Sequence, residues 1–379
     1  MSPLLFVLAV SIAVIAPATS ASVRGPKSLV SLPIARRVAV TGIANILKSN
    51  QARAAQLRSG TLGGRNKDVC KRDGVDTLTV DTGSSNTWAG VGTAYKRTSR
   101  TKLAGNLVSM ICYVSFAFVG TEVTDTVSLG NNLTINNQSI GDAYSTQGFT
   151  GTDGILGIGP TNLTEGMLFP ALTSIVPTFT DNPFSQGVIS AHEANATNGE
   201  LTFRGTHSSK YNERLNYVPL TTSAPANQYR GIDQSVAYGN TTILSQTAGM
   251  LDTGTTLILL ATGNSHEQRY GNRRLMPEPL SDALNAHTNA TGATYDETTG
   301  LYTLTASQYA SLESLYFNIN GIGRTADNIY LIVGDMGSTS GTGLGFINGF
   351  AFLERYYTVF DTAGQRIGLA TTYTSAEIN

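Results

Sequence analysis

From about residue 75 onward the apolar positions fall in short β-branched and aromatic runs, broken every few residues by Gly, Ser, Thr, Asn or Asp. Runs of this kind predict strands joined by turns, so this part of the chain reads as all-β. The pattern before residue 75 is different. Ile43, Leu47, Ala54 and Leu57 recur at helical spacing, with Lys48, Arg53 and Arg58 interspersed and Gly60 as a stop. That spacing predicts one helix from Ile43 to Arg58. Other helices are expected to be few and short. Ser281 can cap one running through His287, and Thr305 with Gln308 has capping-box spacing before Tyr309 and Leu312.

An internal repeat organises the chain. TLTVDTGSSNTW at residues 77–88 is echoed by AGMLDTGTTLIL at 248–259. In each copy apolar residues lead into Asp-Thr-Gly, followed by hydroxyl residues. Each copy also has a later apolar-glycine element, Ile155-Leu156-Gly157 in the first and Phe346-Ile347-Asn348-Gly349 in the second. Two related lobes follow, with a boundary near Leu215–Thr222.

Charge adds a second division. Hydrophobic residues make up 41% of the 379-residue chain and charged residues 13%, which argues against a disordered or nucleic-acid-binding protein. Residues 1–74 hold eleven Lys or Arg against two Asp. That leaves fourteen of the 25 basic and twenty-four of the 26 acidic residues for the remainder. A basic leader thus precedes an acidic body, either as a solvated tail or as a segment that neutralises an acidic cleft until its removal.

Residues 3–17 are apolar but short for a membrane span, and Ala18-Thr19-Ser20-Ala21 follows, which reads as a signal peptide cleaved near Ser20. No other apolar run of spanning length exists, so no membrane association is expected. Sequons begin at Asn132, Asn137, Asn162, Asn195, Asn240 and Asn289, candidate glycosylation sites in a secreted chain. Cys70 and Cys112 are the two cysteines, able to pair or to remain separate thiols.

Two Asp-Thr-Gly turns, one per lobe, suggest paired-carboxylate chemistry. Peptide hydrolysis needs a water made nucleophilic and a leaving amine protonated, and two carboxyl groups sharing one proton can do both. Asp81 and Asp252 are the candidate pair. Gly83 and Gly254 let backbone N–H groups approach the carboxylates, and Ser84 and Thr255 offer hydroxyls to their outer oxygens. Thr82 and Thr253 are placed to hydrogen-bond across the lobes. The chain lacks G-x-S-x-G and H-E-x-x-H motifs, and its four histidines are scattered, which fits surface loops better than a metal site or a triad.

Beyond these turns the sequence resembles the pepsin family of aspartic proteases, and its basidiomycete members in particular. The matching segments include VDTGSSNTW at 80–88, TDGILGIGPTNLTEG at 152–166, NGELTFRGTHSSKY at 198–211, AGMLDTGTTL at 248–257 and FINGFAFLERYYTVFDTAGQRIGLATT at 346–372. The resemblance implies a bilobal pepsin-like aspartic protease fold, with an active-site cleft between two pseudo-symmetric lobes. It implies Asp81 and Asp252 as the catalytic pair, with no metal, cofactor or covalent intermediate. It also implies polypeptide substrates, a pro-segment acting as inhibitor, a secreted extracellular monomer and no nucleic-acid partner. Tyr113 aligns with the flap tyrosine and Trp88 with the tryptophan that touches it. The resulting division is a signal peptide at 1–20, a basic pro-segment at 21–74, an N-terminal lobe with the first Asp-Thr-Gly and the flap at 75–217, and a C-terminal lobe with the second at 218–379.

Three segments depart from the family pattern. The flap reads CYVSFAFVG, with Val114 and Phe116 where glycines belong. Residues 59–80, before Asp81, are short and basic, with Lys71–Arg72 as either a processing site or a surface charge pair. In the second lobe, 263–279 is unlike the family, and the stretch between Gly323 and Tyr330 is short for the strand expected there. These departures leave two alternatives open: a catalytically impaired pepsin-like glycoprotein that binds peptides, or an incomplete gene model of an active protease.

Overall fold

In this computed structural model the described residues are 22–24, 29–34, 43–59, 78–112, 116–128, 134–147, 152–160, 163, 184–187, 199–203, 205–262, 283–297, 301–319, 322–326, 333–339 and 341–372. The signal-peptide segment, Cys70, Lys71–Arg72, Tyr113, the sequons at Asn132, Asn162 and Asn195, and 263–279 lie outside them.

Strands dominate. The first lobe is built from β1 (Ser22–Arg24), β3 (Leu78–Asp81), β4 (Trp88–Ala89), β5 (Lys102–Cys112), β6 (Phe116–Ser128), β7 (Thr134–Gln147) and β8 (Gly154–Gly157). They form one sheet in the order β3-β8-β4-β7-β6-β5, with β1 paired to β7. The second lobe uses β12 (Gly231–Tyr238), β13 (Thr241–Leu251), β14 (Ile258–Thr262), β17 (Leu315–Ile319), β18 (Ile322–Ala326), β19 (Val333–Thr339) and β20 (Phe346–Asn348). Their order is β18-β17-β12-β13-β20-β14-β19. Between Gly323 and Tyr330, where the sequence is short, β18 supplies the edge of this sheet and pairs with β17 from Leu315↔Ala326 to Ile319↔Ile322.

A third sheet draws on both halves of the chain. It contains β2 (Val30–Ile34), β9 (Phe184–Gly187), β10 (Gly199–Phe203), β11 (Asn216–Pro219), β21 (Tyr356–Asp361) and β22 (Arg366–Thr371), in the order β11-β22-β21-β9-β10-β2. A small hairpin, β15 (Thr294–Asp296) with β16 (Leu301–Thr303), stands apart.

Side-chain alternation explains the layering. On β17, Leu315, Phe317 and Ile319 face inward while Tyr316 remains 39% exposed. β21 is buried along its whole length, as a central strand covered on both faces must be. The main core joins the lobes to the shared sheet through Leu156, Phe203, Leu251, Phe317, Phe352 and Phe360. Phe352 packs against both Phe317 and Tyr356, at 5.1 and 4.7 Å between ring centroids.

The helices are short apart from one. α1 (Ile43–Ser59) matches the stretch expected from spacing. α2 (Ala283–Thr291) continues one turn past His287, the end expected from sequence, and buries that histidine. α3 (Ala306–Ala310) carries the Thr305–Gln308 capping box. α4 (Phe350–Leu353) follows the second apolar-glycine element. α1 packs Leu47, Ala54 and Leu57 into a second apolar cluster with Leu257, Leu259, Met336, Leu344 and Ile347. Burying a leucine stabilises by roughly 1.5–3 kcal/mol, so this contact fixes α1 firmly on the second lobe.

Candidate active site

The Asp-Thr-Gly loops sit at the ends of two equivalent strands. β3 pairs in parallel with β8, from Leu78↔Gly154 to Asp81↔Gly157. β13 pairs in parallel with β20, with Leu251↔Asn348 as the last pair. Each loop therefore leaves its sheet beside the apolar-glycine element of its own lobe, and the two loops meet.

The threonines lock this meeting. Thr82 N–H donates to Thr253 Oγ1 at 3.0 Å, and Thr253 N–H donates to Thr82 Oγ1 at 3.1 Å. Each hydroxyl also donates to a main-chain carbonyl of the opposite lobe: Thr253 Oγ1 to Val80 O at 2.7 Å, Thr82 Oγ1 to Leu251 O at 3.4 Å. The result is a reciprocal four-bond bridge with every donor satisfied.

The carboxylates have matching surroundings. Asp81 Oδ1 accepts from Gly83 N–H at 2.9 Å and its Oδ2 from Ser84 Oγ at 2.5 Å. Asp252 Oδ1 accepts from Gly254 N–H at 3.0 Å and its Oδ2 from Thr255 Oγ1 at 2.6 Å. Both acids are buried, at 1% and 0% exposure. A Cβ on Gly83 would lie 2.5 Å from Asp252 Oδ1, and one on Gly254 would lie 2.6 Å from Asp81 Oδ1. Only glycine permits so close an approach of each loop to the opposite acid.

Between the two acids lies one cation. Arg53 of α1 donates from Nη2 to both oxygens of Asp81, at 2.7 and 2.9 Å. It reaches Asp252 through Nε to Oδ2 at 3.2 Å and Nη2 to Oδ1 at 3.4 Å. Sequence reasoning expected the basic segment to cover the pair but did not single out this residue. A signal was present: Arg53 lies beside Ala54 and Leu57 on one side of the helix, a charge next to residues that the apolar spacing turns inward. Neighbouring contacts hold α1 in register. Asn50 Oδ1 accepts from Thr256 N–H at 2.7 Å and Leu257 N–H at 2.9 Å, and Tyr229 Oη donates to Leu57 O at 2.7 Å.

The electrostatics separate the two acids. Burial pushes Asp81 up; the Arg53 guanidinium opposes this, the charge on Asp252 adds to it, and the net direction is above the ordinary carboxylate value. Burial pushes Asp252 up as well, but Arg53 and the Thr255 hydroxyl outweigh it and hold this acid below the ordinary value. The two acids therefore titrate as one linked pair rather than independently.

The remaining candidates fall into two groups. Trp88 is fully buried and stacks on Phe118, with 4.4 Å between centroids and 17° between planes; its expected flap neighbour Tyr113 lies outside the described residues. Asn137, Asn240 and Asn289 are exposed. Among the described residues no group of three or more His, Cys, Asp or Glu is placed to hold a metal ion, and no helix is long and apolar enough to cross a membrane.

Comparison with known proteins agrees with this geometry. The family of eukaryotic aspartyl proteases matches residues 73–372. Polyporopepsin of Irpex lacteus is 47% identical over 334 residues, covering 80% of this chain and 92% of the relative. Vacuolar protease A of Neurospora crassa is 26% identical, covering 78% of this chain and 74% of the relative. The crystal structure of the Irpex lacteus aspartic proteinase superposes with a TM-score of 0.69 at 44% identity, covering 79% of this chain and 90% of that one. With two Asp-Thr-Gly loops joined across the lobes and the family match spanning the whole body, the chain belongs to the eukaryotic aspartyl proteases and is a pepsin-like aspartic-type endopeptidase.

Proposed function

We propose that Asp81 and Asp252 hydrolyse internal peptide bonds of polypeptide substrates, and that the chain is made as a secreted zymogen whose basic segment blocks them. The observation that carries this reading is the convergence of both carboxylates on the single guanidinium of Arg53. Two acids that bind one cation between them are also close enough to bind one water and to share one proton.

The chemistry follows from that pair. The ionised acid takes a proton from water as the water oxygen adds to the substrate carbonyl carbon. The protonated acid gives its proton to the carbonyl oxygen, forming a neutral tetrahedral diol. Collapse of the diol breaks the C–N bond: the acid that gave its proton to the carbonyl oxygen takes one back from a diol hydroxyl, and the acid that took its proton from water delivers it to the leaving nitrogen, giving a carboxylic acid and an amine. Protons balance within the pair and the water, with no covalent enzyme intermediate. The threonine bridge keeps the carboxylates at fixed spacing through these steps.

Arg53 occupies the place that water and the scissile bond would take. Its hold depends on ionised carboxylates, so acid weakens it by protonating the pair. Exposed Asn240, at the tip between β12 and β13, together with Asn137 and Asn289, is available for glycosylation along the secretory route. The test is cleavage of a denatured protein by the secreted product at about pH 4, beside Asp81→Asn and Asp252→Asn. Activity in the parent and its loss in both variants is the expected result. A folded, processed parent without activity would overturn the reading and leave a peptide-binding relative.

A further inference from the structure

The two lobes support their catalytic loops differently at one position. In the first, Val80 pairs in parallel with Leu156, one residue before Gly157. In the second, Leu251 pairs in parallel with Asn348, one residue before Gly349. Asn348 therefore stands where the first lobe has an apolar leucine, and it is fully buried.

Its amide has one reciprocal partner. Asn348 Nδ2 donates to Gln234 Oε1 at 2.9 Å, and Gln234 Nε2 donates back to Asn348 Oδ1 at 3.3 Å. Gln234 is also fully buried, on β12. In the sheet, β13 runs between β12 and β20, so the amide pair ties together two strands that are not neighbours. It does so across the strand that leads into Asp252. The main chain completes the connection, because Asp252 N–H donates to Asn348 O at 3.1 Å.

A buried amide left without a partner is destabilising, whereas a leucine in its place carries no such penalty. A polar pair here gives direction that an apolar contact lacks: it fixes the rotation of Asn348 and hence the aim of its carbonyl. We propose that Gln234 and Asn348 are positioning residues for the Asp252 loop, a clamp that sets the Asp252 carboxylate against Asp81. The proposal rests on the reading of those two acids as the catalytic pair. Small displacements matter there, since the acids must stay within hydrogen-bond reach of each other and of one water.

The experiment compares the activated parent with Asn348→Leu, Gln234→Leu and the double variant Gln234→Leu/Asn348→Leu, on an internally quenched peptide that the parent cleaves. Each variant is expected to lose roughly threefold to tenfold in kcat with KM within about twofold, and to shift one limb of the kcat–pH profile. Thermal unfolding is followed alongside. The single variants orphan an amide and can be unstable; the double variant removes both partners and should fold like the parent. It is therefore decisive. A folded double variant with the parent's kcat and pH profile would reduce the pair to packing and sink the proposal. Retained turnover in Asp81→Asn or Asp252→Asn would instead overturn the catalytic pair itself, and the positioning role with it.

Discussion

At the scale of single residues, the proposed mechanism turns on one charge, which has to leave before substrate can enter. Arg53 sits in a buried triad with two carboxylates, its own side chain 9% exposed. Removing one member of such a group costs about 3–5 kcal/mol, because it leaves the remaining charges uncompensated. Arg53→Ala is therefore expected to loosen α1 and let the precursor convert at a higher pH than the parent. Arg53→Lys should fall between, since a lysine presents a point charge and cannot fork between two acids. Following the precursor band on gels across a pH series checks both; unchanged conversion in Arg53→Ala would show that α1 is held by other contacts. Residue-level reading of the sequence reached Asp81, Asp252 and the bridging threonines because each occurs twice in the same local setting. It did not reach Gln234, because its partner lies 114 residues away and no local pattern announces it, and the helical pattern around Arg53 does not say which acids it meets, one of them 28 residues away.

At the scale of elements, α2 carries a titration that acts on stability. His287 is 3% exposed and meets the Tyr238 ring edge-on at 5.3 Å. Burial lowers it to about 4 from an ordinary value near 6.5. Above about pH 6.5 the histidine is neutral in both folded and unfolded chains and costs nothing. As pH falls toward 4, the unfolded chain takes up a proton that the folded one refuses, and stability drops by about 3 kcal/mol in all. His287→Leu, in an Asp81→Asn background to prevent self-digestion, is expected to flatten the fall in melting temperature between about pH 7 and 4. A melting temperature that falls as steeply as in the parent would assign the acid sensitivity elsewhere. α1 and the capping box of α3 were legible because periodicity and capping are local. The burial of His287 was not, because it depends on Tyr238 reaching α2 from another element.

At the scale of the whole molecule, the proposed blocking of the cleft is not the basic leader's single contact with the body. Its strand β2 forms the edge of the shared sheet, pairing with β10 from Gly199↔Ile34 to Phe203↔Val30. The sequence identified a basic leader before two lobes, but the alternating residues of VSLPI do not name a partner strand 170 residues later; sheet pairing is nonlocal. One side chain ties this edge strand to the body. Glu200 Oε1 accepts from Ser31 Oγ at 3.1 Å, from Thr202 Oγ1 at 2.6 Å and from His207 Nδ1 at 2.7 Å, and Lys210 Nζ stands 3.9 Å from Oε2. Burial pushes Glu200 up, but the hydrogen bonds from Thr202, His207 and Ser31 outweigh it and hold the acid below its ordinary value. These contacts are therefore complete above the ordinary glutamate range and are lost as pH falls through the lowered value. Acid should loosen β2 at the sheet edge separately from its effect on Arg53. Hydrogen exchange of residues 30–34, corrected for intrinsic rates and measured in Asp81→Asn precursor, is the readout. The parent is expected to lose protection there as the pH is lowered, while Glu200→Gln, which keeps an acceptor but cannot titrate near this pH, should lose less. Equal loss in both would show that β2 is released by events at the cleft alone, with Arg53 rather than Glu200 governing both ends of the leader.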